Sequence, residues 1–149
     1  MSDFRYASGR IAESVQFLTE EIREFDKDYS QKTWEDYQRD RKLQKLMDRT
    51  VENILTALIE VCGTILVEEG IGAASYSEVL RKAAGYFGFL EEDQNKLAKL
   101  AVQRNRLAHR YLNFRWEAIR MFKDMRALIL EVMERVLKRE EERLKKMNP

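Results

Sequence analysis

Proline is nearly missing from this chain of 149 residues: the only one is Pro149, at the last position. Glycine is scarce too, with six. Sandwiches and barrels need turn after turn built from these residues, so their shortage excludes a strand-rich fold. The single cysteine, Cys62, has no partner for an intrachain disulfide. One cysteine and one histidine, His109, cannot assemble a Cys/His zinc site. A His-Glu-x-x-His pair, an EF-hand loop and a glycine-rich phosphate loop are all missing. These shortages read as a reduced, cytoplasmic protein with no metal and no cofactor. The opening MSDFRYASGR has no apolar signal core. The longest apolar stretch, 54–67, is too short to span a bilayer and carries Glu60, so no membrane segment is expected. An excess of one charge is lacking as well, since 27 Lys+Arg stand against 26 Asp+Glu. That balance argues against a globally basic nucleic-acid binder and leaves room for a local patch.

What is present is helical. Hydrophobic residues make up 44% and charged residues 36%, with few breakers among them. Ile11, Val15, Leu18, Ile22 and Phe25 recur every three or four positions and predict a first helix over 8–29. Ser30-Gln31-Lys32 breaks it. Thr33 then reads as an N-cap, with Glu35 and Asp36 where negative charge suits the helix dipole. A second helix is expected to run unbroken over 34–69. Its first half is charged, with Tyr37, Leu43 and Leu46 as sparse apolar positions; its second half, from Val51 to Leu66, is core. Trp34 and Tyr37 fit either an exposed dimer or partner surface or packing on the first helix. Arg49 and Glu52, one turn apart, read as a surface ion pair. Cys62 falls on the apolar stripe and is expected to be inert. Gly70-Ile71-Gly72 ends this helix. Ser75 with Glu78 is a capping-box pattern opening a third helix to 86. Glu91, Glu92 and Asp93 open a fourth, reaching at least 105, with Leu97, Leu100 and Ala101 on its stripe. A last helix starts near 114 and extends toward 145 on Trp116, Ile119, Phe122, Met125, Ile129, Val132 and Val136. Met121, Met125 and Met133 read as core. The expectation is all-α: an antiparallel bundle of four or five helices over 1–137, then a solvated, charged helical extension over 138–149.

The charge is unevenly placed. From Gln94 to Trp116 there is no Asp or Glu, while Lys96, Lys99, Arg104, Arg106, Arg110 and Arg115 fall in that stretch. Charge alone favours a solvated face beside acidic neighbours. The presence of the only histidine shifts the balance toward chemistry. Imidazole transfers protons near neutral pH. A guanidinium holds phosphate through two parallel hydrogen bonds and stabilises charge building on it. Asn105 supplies neutral donors and an acceptor, and Tyr111 a phenol and a stacking face. Helical phase adds a condition. Asn105 and His109 share a face, whereas Arg104 and His109 point roughly 140° apart on a straight helix. For these two to act together, the helix has to bend or end between them.

Arg104, Asn105, His109 and Tyr111 together spell Arg-Asn-x-x-x-His-x-Tyr. This resembles the signature of HepT-like ribonucleases, toxins of the HEPN (higher eukaryotes and prokaryotes nucleotide-binding) superfamily. The similarity extends in order and spacing over about 8–135. It takes in the first helix, the Asp40-Arg41-Lys42 to Arg49 segment, and the Ser75-Tyr76-Ser77-Glu78 cap. Val102-Gln103 stands where relatives often carry Gly-Phe. The resemblance implies an all-α, HEPN-like homodimer that brings two motifs into a positively charged cleft and cuts RNA without a metal. It implies Arg104 and His109 as the catalytic pair: the ribose 2′-hydroxyl attacks the adjacent phosphate, His109 moves the proton, and Arg104 stabilises the phosphorane-like charge. Asn105 supports by orienting the phosphate or His109. Lys99, Arg106, Arg110 and Arg115 are then RNA-binding residues. The resemblance also implies a minimal nucleotidyltransferase antitoxin as partner, with Tyr111 as the residue it can modify with AMP; a phosphate there would repel RNA. Two alternatives remain: a non-catalytic HEPN module that binds a nucleotide or partner, and an unrelated structural bundle. Tyr86, Phe87 and Phe89 fit stacking on RNA bases or packing of their turn, and packing is the commoner use.

Overall fold

The stripe Ile11, Val15, Leu18, Ile22 and Phe25 lies along one side of α1 (Ser2–Asp28), and every one of these residues is buried. The computed structural model describes the backbone of residues 2–147 and the side chains of residues 9–147. The chain continues as α2 (Trp34–Arg39), α3 (Arg41–Glu68), α4 (Tyr76–Tyr86), α5 (Glu91–Leu107) and α6 (Leu112–Met147), and the described residues contain no strand. The fold is therefore an all-α bundle, as the periodicities predict.

Contacts between distant residues fix the helix directions. Glu21 meets Asn53, while Ile11 and Ser14 lie beside Glu60 and Thr64, so α1 and α3 run antiparallel. Asp26 pairs with Arg126, and Leu137 lies near Gln16, so α6 also opposes α1. α3 and α6 consequently run parallel, joined by Asp48–Arg115 near their starts and Glu68–Arg139 near their ends. Phe25 and Phe122 meet edge to face at 5.0 Å inside the bundle. α3 is long and apolar enough to pass for a membrane span by length and composition, although most of that window is buried inside the bundle. Two helices stop on glycine. Gly70 (φ 70°) and Gly88 (φ 81°) take the left-handed conformation. The N–H groups that follow, of Ile71 and Phe89, donate back to Leu66 and Ala84, closing the last turn of α3 and of α4.

The long second helix is broken where continuity was expected. Thr33 and Asp36 form a capping box that starts α2. Asp40 is extended (φ −128°, ψ 99°), and its carboxylate accepts the N–H of Leu43 at 3.0 Å, so it ends α2 and caps α3. A side chain that competes for backbone N–H groups can stop a helix without proline or glycine. The break folds α2 back and buries Tyr37 completely, with its ring 5.1 Å from Trp116. Trp34, half-buried, lies 5.9 Å from the same indole. The pair therefore packs inside the chain, with the Trp116 indole of α6 as its shared ring neighbour and Asp48 of α3 accepting the Tyr37 hydroxyl.

The charged extension expected over 138–149 is not simply solvated over its described part, 138–147. α6 passes position 137 without interruption, and Arg139 and Glu140 are buried. Arg139, Glu140 and Arg143 continue the inward face of Val132 and Val136 at helical spacing. Arg139 pairs with Glu68 at 3.1 Å and Glu69 at 2.7 Å, and donates to the Tyr86 hydroxyl at 3.2 Å. Arg143 pairs with Glu68. Burial opposes the charge on Arg139, yet hydrogen bonds to Glu69, Tyr86 and Glu68 hold its pKa above the ordinary value. Burial pushes the Glu140 carboxyl up, against the pull of Arg139 and Arg143. At the same end Phe89 is buried beneath the Arg135 guanidinium, 3.8 Å away. Tyr86 and Phe89 thus serve packing and a buried ionic network.

Candidate functional site

The motif straddles a helix end. α5 stops at Leu107, whose side chain is buried. The Ala108 N–H donates to Asn105 and the His109 N–H to Arg106, a tightened i to i+3 pattern that turns the chain toward α6. The helix therefore ends between Arg104 and His109, which is the condition that helical phase imposed. Within one chain the two side chains nevertheless keep different company.

Arg104 is half-buried and faces α3 and α4. Its Nε donates to the Thr56 hydroxyl at 2.9 Å, and the guanidinium carbon lies 5.7 Å from the centre of the Tyr76 ring. It borders two grooves. One, of about 580 Å³, is polar and includes Arg49, Glu52 and Asn53. The other, of about 660 Å³, is mostly apolar and includes Ile59, Val67, Tyr76 and Val79. Asn105 is exposed and lines a third hollow of about 520 Å³ with Tyr76, Ser77 and Val102. Tyr76 thus borders hollows on both sides of the motif's Arg-Asn pair.

His109 is exposed and sits among aromatics. Its ring centre lies 4.7 Å from that of Tyr111 and 4.8 Å from that of Phe114. Nδ1 accepts the backbone N–H of Tyr111 at 3.2 Å, so the neutral ring carries its hydrogen on Nε2. Tyr111 is 51% exposed, its hydroxyl has no partner among the described residues, and Arg110 lies over its ring at 5.5 Å.

The acid-free stretch divides into two kinds of cation. Lys99, Arg106 and Arg110 are exposed and form no ion pair among the described residues. Lys96 pairs with Glu92 at 3.3 Å. Arg115, expected to bind RNA, instead turns inward to Asp48 at 2.8 Å, with only 18% of its side chain exposed. The same carboxylate accepts the Tyr37 hydroxyl at 2.6 Å. Burial pushes the Asp48 carboxyl up despite these two bonds, and burial with the bond to Asp48 pushes the Tyr37 phenol up. Arg115 is thus a structural ion-pair partner, because this position of α6 faces the bundle. Arg49 and Glu52 do not form the expected pair; both line the polar groove with Arg104. Cys62 is buried, and burial pushes its thiol up to about 12, as its place on the apolar stripe predicts.

Sequence reasoning missed Thr56 and Tyr76 as neighbours of Arg104. Thr56 lies 48 residues upstream of Arg104. A hydroxyl inside the apolar run of α3, which Thr64 supplies as well, is the only signal for it. Among the described residues no group of three or more His, Cys, Asp or Glu could hold a metal ion. A family model described as "Ribonuclease HepT-like" matches residues 18–122, which span most of the chain and the whole motif. No curated protein and no solved structure matches it.

Proposed function

The chain belongs to the HepT-like ribonuclease family, and from that premise we propose that it is a metal-independent endoribonuclease acting through Arg104 and His109. The observation that carries this reading is the end of α5 between them. It leaves a tethered guanidinium and an exposed imidazole flanked by the unpaired Lys99, Arg106 and Arg110. In the proposed reaction the ribose 2′-oxygen forms a bond to phosphorus and the bond to the 5′-oxygen breaks. The products are a 2′,3′-cyclic phosphate and a free 5′-hydroxyl. His109 handles the proton lost from the 2′-hydroxyl or gained by the 5′-oxygen. Arg104 stabilises negative charge on the phosphoryl oxygens as it builds. Asn105 supports the phosphate from the neighbouring hollow, and the three exposed cations hold the RNA backbone.

A homodimer fits this reading, because two copies around one cleft would concentrate the motif's positive charge. Regulation by a minimal nucleotidyltransferase antitoxin fits the free Tyr111 hydroxyl. Its oxygen would attack the α-phosphate of ATP, losing its proton and releasing pyrophosphate. The resulting adenylyl phosphate would stand beside His109 and repel RNA.

The test is cleavage of RNA in the presence of EDTA. The expected result is products ending in cyclic phosphate, with His109→Ala and Arg104→Ala each at least about 100-fold slower. RNA binding without cleavage would point to a binding module. Parent-like cleavage by either variant would remove that residue from the reaction.

A further inference from the structure

Of the four motif residues, Arg104 alone has its side chain tied to elements distant in sequence. Thr56 on α3 accepts from Nε, and Tyr76 at the start of α4 covers the guanidinium. The Thr56 contact is not a default of threonine in these helices. Thr19, Thr50 and Thr64 each donate to the carbonyl four residues back. Thr56 accepts from Arg104 instead. The choice of nitrogen matters. A guanidinium offers an oxyanion two bidentate edges, Nε with one Nη, or the two Nη atoms together. With Nε held by Thr56, only the second edge is free.

We propose that Thr56 and Tyr76 are positioning residues for the ribonuclease reaction. Thr56 sets Arg104 to meet the scissile phosphate end-on through its two Nη atoms, and the Tyr76 ring keeps the guanidinium plane from swinging away. Both act through Arg104. Prior placement matters most where charge develops, because a donor already aimed at the transition state need not reorganise during the reaction. This inference rests on the ribonuclease reading above, and the experiment separates the two.

Cleavage of a defined RNA oligonucleotide is measured in EDTA, with thermal unfolding recorded for every variant. Thr56→Val keeps the shape and removes the acceptor. Its kcat is expected to fall about 10- to 100-fold, with KM within about twofold of the parent. Thr56→Ser restores the acceptor and should return kcat to within about threefold of the parent. Tyr76→Leu, at a site 57% exposed and so tolerant of change, should lower kcat about fivefold, while Tyr76→Phe stays near the parent. In an Arg104→Lys background, which lacks Nε, Thr56→Val should add no further loss, because residues acting as a unit are not additive. A slow Arg104→Ala beside parent-like Thr56→Val and Tyr76→Leu would overturn the positioning roles and leave the ribonuclease reading intact. Parent-like cleavage by Arg104→Ala would overturn the ribonuclease reading itself. Should Thr56→Val fail to fold, the Tyr76 pair and the Thr56→Ser variant decide the matter.

Discussion

A carboxylate that holds a phenol and a guanidinium out of water is costly to remove. Asp48 does this for Tyr37 and Arg115. Asp48→Ala should destabilise the fold by about 3–5 kcal/mol in urea unfolding, since it strands a buried cation. Tyr37→Phe, which removes one hydrogen bond and keeps the ring, should cost about 1 kcal/mol. The same geometry divides two arginines that look alike in sequence. Arg106 is exposed and unpaired among the described residues, so Arg106→Ala should weaken RNA binding and make the salt slope shallower by about one unit at unchanged unfolding temperature. Arg115→Ala should do the reverse, lowering stability with little change in salt slope. Equal effects of the two on RNA affinity would show that Arg115 reaches the substrate. The acid-free stretch was legible as a basic segment. Which of its members faced outward was not, because the partner of Arg115 lies 67 residues upstream.

At the scale of elements, most helices were legible because one apolar face must repeat every three to four residues to be buried. The break at Asp40 was not, because it comes from capping side chains inside a charged segment rather than from proline or glycine. The inward face of α6 beyond Leu137 was obscured for a related reason. Arg139 and Glu140 occupy core positions while looking like surface residues, and two of the carboxylates that pair with Arg139, Glu68 and Glu69, lie at the far end of α3. Arg139→Ala should therefore cost about 3 kcal/mol in urea unfolding, because it takes from Glu68 and Glu140 their more deeply buried partner and leaves them only Arg143 among the described residues. Lys145→Ala, one and a half turns further along α6 on its exposed surface, should change stability by less than about 0.5 kcal/mol. A tail that were merely solvated would give two equally small values.

The whole molecule carries ionisable groups shifted in opposite directions, and its stability should record both. Burial raises the folded pKa of Asp48 and Glu140, so the folded chain takes up protons there before the unfolded chain does. Their contribution is therefore fully present below their ordinary values of 3.8 and 4.5 and is lost as pH rises through their folded values. Glu69, bonded to Arg139 and Tyr86, and Glu78, bonded to Lys82 and the Ala74 N–H, are lowered from an ordinary value of 4.5. Their contribution is present above that value and is lost as pH falls through their folded values. Urea midpoints should gain from Asp48 and Glu140 as pH drops from 7 through their folded values, and lose from Glu69 and Glu78 once pH falls below their ordinary 4.5. Glu140→Gln supplies the control, since an amide cannot titrate: it should flatten the upper limb and leave the acid fall in place. A parent midpoint that declined steadily from pH 7 would mean that Asp48 and Glu140 are better solvated, or better paired, than their place between α3 and α6 implies.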